Sequence, residues 1–263
     1  MRRLSQGFSL LEMIAVLAIS SILAGSLAPS LIRSLELSHS ESEAESLKTM
    51  ATVLIEYVMS NKRIPSSNPS DWGSALAVVA SVSPANLTHN QRNYSRALFF
   101  DPLFLTNTES NFSGFTQNLG LLNKPPSPRI LIISNLAGNT TSSLLTSLQF
   151  NAIWNQTNDA GFVESKTIKI ERVNLAAYFH QVLLSNQNSN SAAFSLDLGS
   201  VGAVPPISGA TDGEEIRHII KSTQLRLHAA PYPSGPVQTT LLVNSSQSFS
   251  YTNTSGSWSW RSP

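Results

Sequence analysis

The longest apolar run in the chain lies at its start. From Phe8 to Ile32 the sequence FSLLEMIAVLAISSILAGSLAPSLI holds 25 residues and a single charge, Glu12. Wound as an α-helix rising about 1.5 Å per residue, it is about 37 Å long, enough to cross a bilayer core. Beyond it the pattern stays helical but turns amphipathic. Leu47, Met50, Ala51, Leu54, Tyr57 and Val58 recur at three- and four-residue spacing and make one apolar stripe. Glu36, Glu41, Glu43, Glu45 and Lys48 sit among them and read as a solvated face. Asn61, Pro65 and Pro69 end the pattern, so one helix is predicted to about Met59, about 52 residues and about 78 Å long.

Downstream the period changes. Ser70 reads as the N-cap of a short helix from Asp71 to about Val82, stopped by Pro84. The stretch from Ala85 to Pro128 is rich in Asn and Ser around one apolar island, Ala97 to Leu105, and reads as irregular and surface-lying with some short pairing. Strands are predicted at Arg129–Ser134, Leu148–Ile153, Lys166–Val173, Ala176–Leu184, Ala193–Leu198, Thr223–His228 and Val237–Val243. In Lys166–Val173 the apolar Ile168, Ile170 and Val173 suggest one buried face, with an imperfect register at the end. Pro205-Pro206 and Pro231-Tyr232-Pro233 fit turns between antiparallel strands.

The last alternating run, Ser248 to Trp260, reads as a hairpin around Asn253-Thr254-Ser255-Gly256. Pairing Thr252 with Ser257 sets Tyr251 opposite Trp258 and Phe249 opposite Trp260. All four rings then share one face, with Ser248, Ser250 and Ser259 on the other. Two readings stand: the rings cover the sheet as core, or some of them stay exposed as a platform for sugar or a partner subunit.

Composition narrows the class. About 200 of the 263 residues remain for a body beyond the long helix, and the formal net charge is +1. No basic face stands out, which argues against a nucleic-acid partner. With no cysteine, the fold has no disulfide and relies on its core. Only 13% of residues are charged, a composition that suits a β-rich body with long polar loops better than a cytosolic enzyme. The five histidines are scattered; Glu214 and His218 would meet on one helical turn, yet a metal site wants three convergent ligands and no third is indicated. Asp197, Asp212, Glu214 and Glu215 are spaced too loosely for calcium. No nucleophile elbow, phosphate loop or dinucleotide turn occurs, so no catalytic residue, cofactor or metal is expected. The seven Asn-X-Ser/Thr triplets are what chance gives in so Asn-, Ser- and Thr-rich a chain.

Glu12 decides what the first segment is for. A carboxylate near the bilayer centre costs on the order of 2.5–3.5 kcal/mol on insertion scales. The nearest basic residues in the sequence are Arg3, ahead of Gly7, and Arg33, near the far end of the run. The α-amine of a neighbouring copy would serve as a partner, and at Phe8 that amine exists only after a cut following Gly7. Ahead of the run, Arg2 and Arg3 keep the leader cytoplasmic and send the rest outward. No small-residue signal-peptidase site is evident around Ala24 to Ser30.

Basic leader, Gly7, Phe8, Ser9, Leu10, Leu11, Glu12 and apolar run together resemble the type IV pilin and pseudopilin family, over roughly residues 1 to 60. The resemblance implies a prepilin peptidase that cuts after Gly7 and methylates Phe8. It implies that Glu12 serves both methylation and assembly, and it makes Pro29, beside Gly25, the helix-kinking proline. It further implies partners: other pilin or pseudopilin subunits, an inner-membrane assembly platform and membrane lipid. Many major pilins close a C-terminal loop with a disulfide, and this chain departs from them there.

The expected organisation is α+β: a leader over 1–7, a transmembrane and assembly helix over 8–32, an amphipathic continuation over 33–60, and an exterior antiparallel β-rich domain over 61–263. The expected protein is a minor filament subunit of a type II secretion system or type IV pilus, with its body outside the inner membrane. The rival is a signal-anchored exterior protein that binds carbohydrate or a surface partner.

Overall fold

A computed structural model describes residues 10–66, 68–105, 118–140, 144–156, 162–197 and 199–262. Its first element, α1 (Leu10–Asn61), is one α-helix of 52 residues with Pro29 inside it. Burial along α1 follows the helical period: Ser40, Glu43, Leu47, Met50, Ala51, Leu54 and Val58 are buried, mostly at steps of three or four. The predicted stripe is this face, with Tyr57 and Ile55 half-buried at its margins.

The stripe packs on a three-stranded antiparallel sheet of order β1-β2-β3, made of β1 (Ala97–Phe100), β2 (Arg129–Asn135) and β3 (Ile168–Asn174). Alternation sends Leu98, Phe100, Ile130, Ile132 and Val173 to the α1 side. It sends Ala97, Phe99, Leu131, Ile133 and Ile170 to the opposite side, against Phe150, Ala152 and Ile153. Apolar runs in β1 and β2 are therefore strands buried on both faces. Ala97 to Leu105 is not surface-lying as expected: it supplies β1 and then α4 (Pro102–Leu105), with Phe104 fully buried. Ile168 and Ile170 share one face, and the register breaks at the end as expected, because the step of three from Ile170 sends Val173 to the other side of the sheet.

Leu148–Ile153 is helix, not strand. It lies in α5 (Ser147–Trp154), started by a capping box in which Thr146 and Gln149 each bond the other's backbone N–H. Arg172 closes the far end of α5 by donating to the carbonyls of Ile153 and Trp154. On the same face of the sheet Arg129 pairs with Asp101, donates to Asn151 at 2.7 Å, and stacks on Phe150 and Trp154. Helix α2 (Pro69–Ala80) is capped by Asn68, two residues before the expected Ser70, and is followed by the short α3 (Pro84–Thr88).

One interaction inside this first body reverses the reading of Glu43 as solvated. Its carboxylate is wholly buried, and both oxygens accept from Arg96, which donates through Nε and Nη2 at 2.7 Å each. Arg96 also donates Nη1 to the carbonyls of Asn86 and Leu87. The neighbouring Gln91 reaches α1 as well, bonding His39 at 3.0 Å and Ser42 at 2.5 Å.

A second body follows, a sandwich of two four-stranded sheets. One sheet has order β11-β10-β4-β7, from β4 (Phe179–Asn186), β7 (Gly213–Ile220), β10 (Gln247–Thr254) and β11 (Ser257–Arg261). The other has order β6-β5-β8-β9, from β5 (Ala192–Leu196), β6 (Val201–Val204), β8 (Thr223–His228) and β9 (Val237–Val243). Val182, Leu184, Ile219, Phe249 and Tyr251 from the first meet Phe194, Leu196, Leu225 and Leu227 from the second. The pairing is antiparallel, as expected for an α+β body, except between β10 and β4, which run parallel. Strand β7 places Glu214 and His218 about 13 Å apart along an extended chain, not on one helical turn.

The C-terminal hairpin forms with a tighter turn than expected. Thr254 pairs with Ser257 around a two-residue loop, Ser255-Gly256, whose φ values of 56° and 87° suit the primed turns that match strand twist. Tyr251 therefore lies opposite Trp260, and Trp258 opposite Asn253. The slip is two residues, so it conserves faces: the four rings still share one side. Phe249, Tyr251 and Trp260 are buried and Trp258 is half-buried. Trp260 donates Nε1 to the His228 carbonyl, and the Tyr251 hydroxyl accepts from the Ala230 N–H.

These packings set two expectations for stability. Replacing Glu43 or Arg96 singly by Ala strands the other charge in the core and should lower stability by about 3–5 kcal/mol in denaturant titration. The paired change Glu43→Leu with Arg96→Met should recover much of that loss; equal losses for single and double variants would contradict it. Trp260→Ala should cost about 3–5 kcal/mol, with Trp258→Ala costing clearly less. Thermal melts ranking the two the other way would refute the burial order.

Candidate functional site

From Leu10 to Ser38 every residue of α1 is exposed, and burial begins only at His39 and Ser40. At about 1.5 Å per residue, these 29 residues project about 43 Å from the body. The projecting half is apolar: Ile14 is 55% exposed, Ile22 72% and Leu31 62%. Mean hydropathy reaches 2.1 over an 18-residue window, none of it buried, so the helix is long and apolar enough to cross a membrane. Its serines suit that setting. Ser21, Ser26 and Ser30 donate their hydroxyls to the carbonyls of Leu17, Leu23 and Leu27, so none of these three carries an unmatched O–H outward.

Glu12 stands in the first described turn of α1, exposed within this apolar surface. Gly7 and Phe8, the expected cleavage and methylation residues, lie outside the described residues. The helix passes through Gly25 and Pro29 without a break. Pro29 has no N–H for the Gly25 carbonyl, and a Cβ added at Gly25 would meet nothing within 4 Å, so packing within the described chain does not hold this turn. Arg33 and Glu36 follow the apolar run, which places the first charges after Glu12 between it and the body.

The scattered polar candidates do not assemble into a second centre. Among the described residues no three His, Asp or Glu side chains are grouped to hold a metal ion. Asp197 accepts the backbone N–H of Gln224, and Asp212 accepts from Ser185 and Gln187. Glu215 pairs with Arg217 at 2.5 Å on the sandwich side of β7, with the Arg217 guanidinium 5.9 Å from the Phe194 ring centroid. Burial holds His180 below the ordinary histidine value, and Lys221 pushes the same way. Burial also lowers His218, against backbone bonding at Leu122 and Leu121 and with the help of Lys124. Phe249, Tyr251, Trp258 and Trp260 lie side by side on the inner face of the sandwich, far along the chain from α1.

Comparison with known proteins bears on the projecting half-helix. Residues 2–28 match a family model described as the prokaryotic N-terminal methylation motif, a span that includes Gly7, Phe8, Glu12 and Gly25. A search of curated proteins finds no match. One solved structure, the T6 backbone pilin of serotype M6 Streptococcus pyogenes, aligns at 14% identity over 52% of this chain and 31% of its own. Its TM-score is 0.25, and that likeness carries no weight for the fold. The resemblance read from the leader, Gly7, Phe8 and Glu12 is thus shown for the N-terminal segment: residues 2–28 are a prepilin-type methylation motif, whose described part, from Leu10, lies on the helix that leads into an α+β body.

Proposed function

We propose that the chain is a pilin-like subunit, held in the membrane by its projecting half-helix, trimmed after Gly7 by a prepilin peptidase and packed helix-to-helix with other subunits. The observation that carries this reading is the methylation motif on a helix whose first 29 described residues lie exposed, clear of their own body. An apolar surface of that length needs lipid or other helices around it. The same motif points to structural work, not catalysis. We place the body outside the inner membrane, with an assembly platform as a partner, and read the chain as a minor subunit of a type II secretion or type IV pilus filament. Gly25 and Pro29 weaken one turn of the half-helix, where packing in a filament can bend or extend it.

Glu12 sets the register of that packing. Its carboxylate pairs with the α-amine that cleavage creates at Phe8 of a neighbouring subunit, which offsets the cost of a charge in apolar surroundings. Mass spectrometry of the mature protein should find an N-terminus at Phe8, methylated; an intact Met1 would favour the signal-anchored binding protein instead. Glu12→Leu should leave the chain membrane-inserted but unassembled. If that variant enters filaments as well as the parent does, the pairing is wrong.

A further inference from the structure

A cleft of about 870 Å³ opens between β9 and the β10–β11 hairpin, where the two sheets of the sandwich diverge after the connection at Asn244 to Ser246. That volume is within the range of small-ligand sites. Its floor is aromatic and aliphatic: Phe249 and Trp260, both mostly buried, with Leu241 beside them. Its rim is polar, with Gln181 and Ser246 exposed and Gln247 half-buried. Among the described residues that line it none is charged. Gln247 donates Nε2 toward Ser245 at a long 3.4 Å, while its Oε1 is buried with no hydrogen-bond partner among the described residues.

We propose that this cleft binds a neutral saccharide. A charged ligand entering here would lose water and gain no counter-charge, which is strongly unfavourable. An apolar ligand would leave the Gln and Ser groups of the rim desolvated and unmatched. A pyranose has both characters the lining asks for: a C–H face to lie on the Phe249 and Trp260 rings, and a hydroxyl edge that both donates and accepts. The half-buried Gln247 amide, held only by its long bond to Ser245, then turns its unmatched Oε1 to receive a sugar O–H. Strand addition by a peptide is the weaker fit on the β10 side. That strand is laddered to β4 from Gln247 to Tyr251 and to β11 from Ser250 onward, which leaves an open edge of only three residues. The site is independent of the subunit reading, because it uses no residue of α1.

The test uses the full chain in detergent micelles, titrated with maltotriose, cellotriose and chitotriose while Trp fluorescence is followed. At least one should give a saturable change below about 10 mM, the range of weak but specific affinity. Trp260→Phe should remove most of the fluorescence response. Gln247→Leu should weaken binding about tenfold, as expected for one lost hydrogen bond with the acceptor site closed. Gln181→Ala, at an exposed rim position, tests the same site without touching the core and should weaken binding several-fold at an unchanged melting temperature. No saturable response to any of the three sugars overturns the proposal. So does a response that Gln181→Ala and Gln247→Leu both leave intact, or tighter binding of a neutral Ser/Thr hexapeptide than of every sugar.

Discussion

The docking of α1 rests on a buried ion pair. Apolar contacts between a helix and a sheet are non-directional, so a stripe with steps of three and four marks the buried face of α1 without naming a specific partner. A carboxylate with no solvent exposure cannot shift. Glu43 must meet the planar fork of Arg96, and that fork is itself held by the carbonyls of Asn86 and Leu87 in α3. The pair sits at the first level where α1 enters the body, one turn below Ser40. It therefore fixes both the height and the rotation of the helix, and so the direction in which residues 10–38 leave.

That single helix serves two surroundings. Below His39 its buried face is a narrow stripe with charges opposite it, such as Glu45 and Lys48 at 3.6 Å across one turn. Above it the apolar character wraps all round, as a helix meant for lipid or for other helices requires. The transition needs no break in the backbone, only a change in which residues occupy the outer face. Gln91, reaching up from the body to His39 and Ser42, marks the boundary on the protein side.

The helix and its methylation motif are legible in the sequence because both depend on local, one-dimensional signals. A 25-residue apolar run and a six-residue motif survive without knowledge of tertiary structure, and so does the stripe through Leu47 and Leu54. What escapes is settled by partners distant in the chain. Glu43 looks like its solvated neighbours because Arg96, 53 residues away, cannot be inferred from spacing. Leu148–Ile153 looks like strand because its β-like apolar pattern outweighs the Thr146–Gln149 capping box, the local signal that identifies α5. Strand β7 escapes because Glu215 and Arg217 put charge on its inward face, a pattern that suits a protected edge but hides the alternation. The hairpin turn differs from its expected register by two residues while its faces stay right, since a slip of two preserves parity.

The junction between the two bodies has a mechanical consequence. Phe179 at the start of β4 and Ile220 at the end of β7 are paired, and both belong to the core beneath α1, while Val182 and Ile219 belong to the sandwich. The same two strands thus cross from one core into the other. Tension between the helix and the sandwich runs along β4 and β7, parallel to the strands and across their rungs. The rungs then share the load and must yield together, whereas a loop linker would let the bodies separate contact by contact.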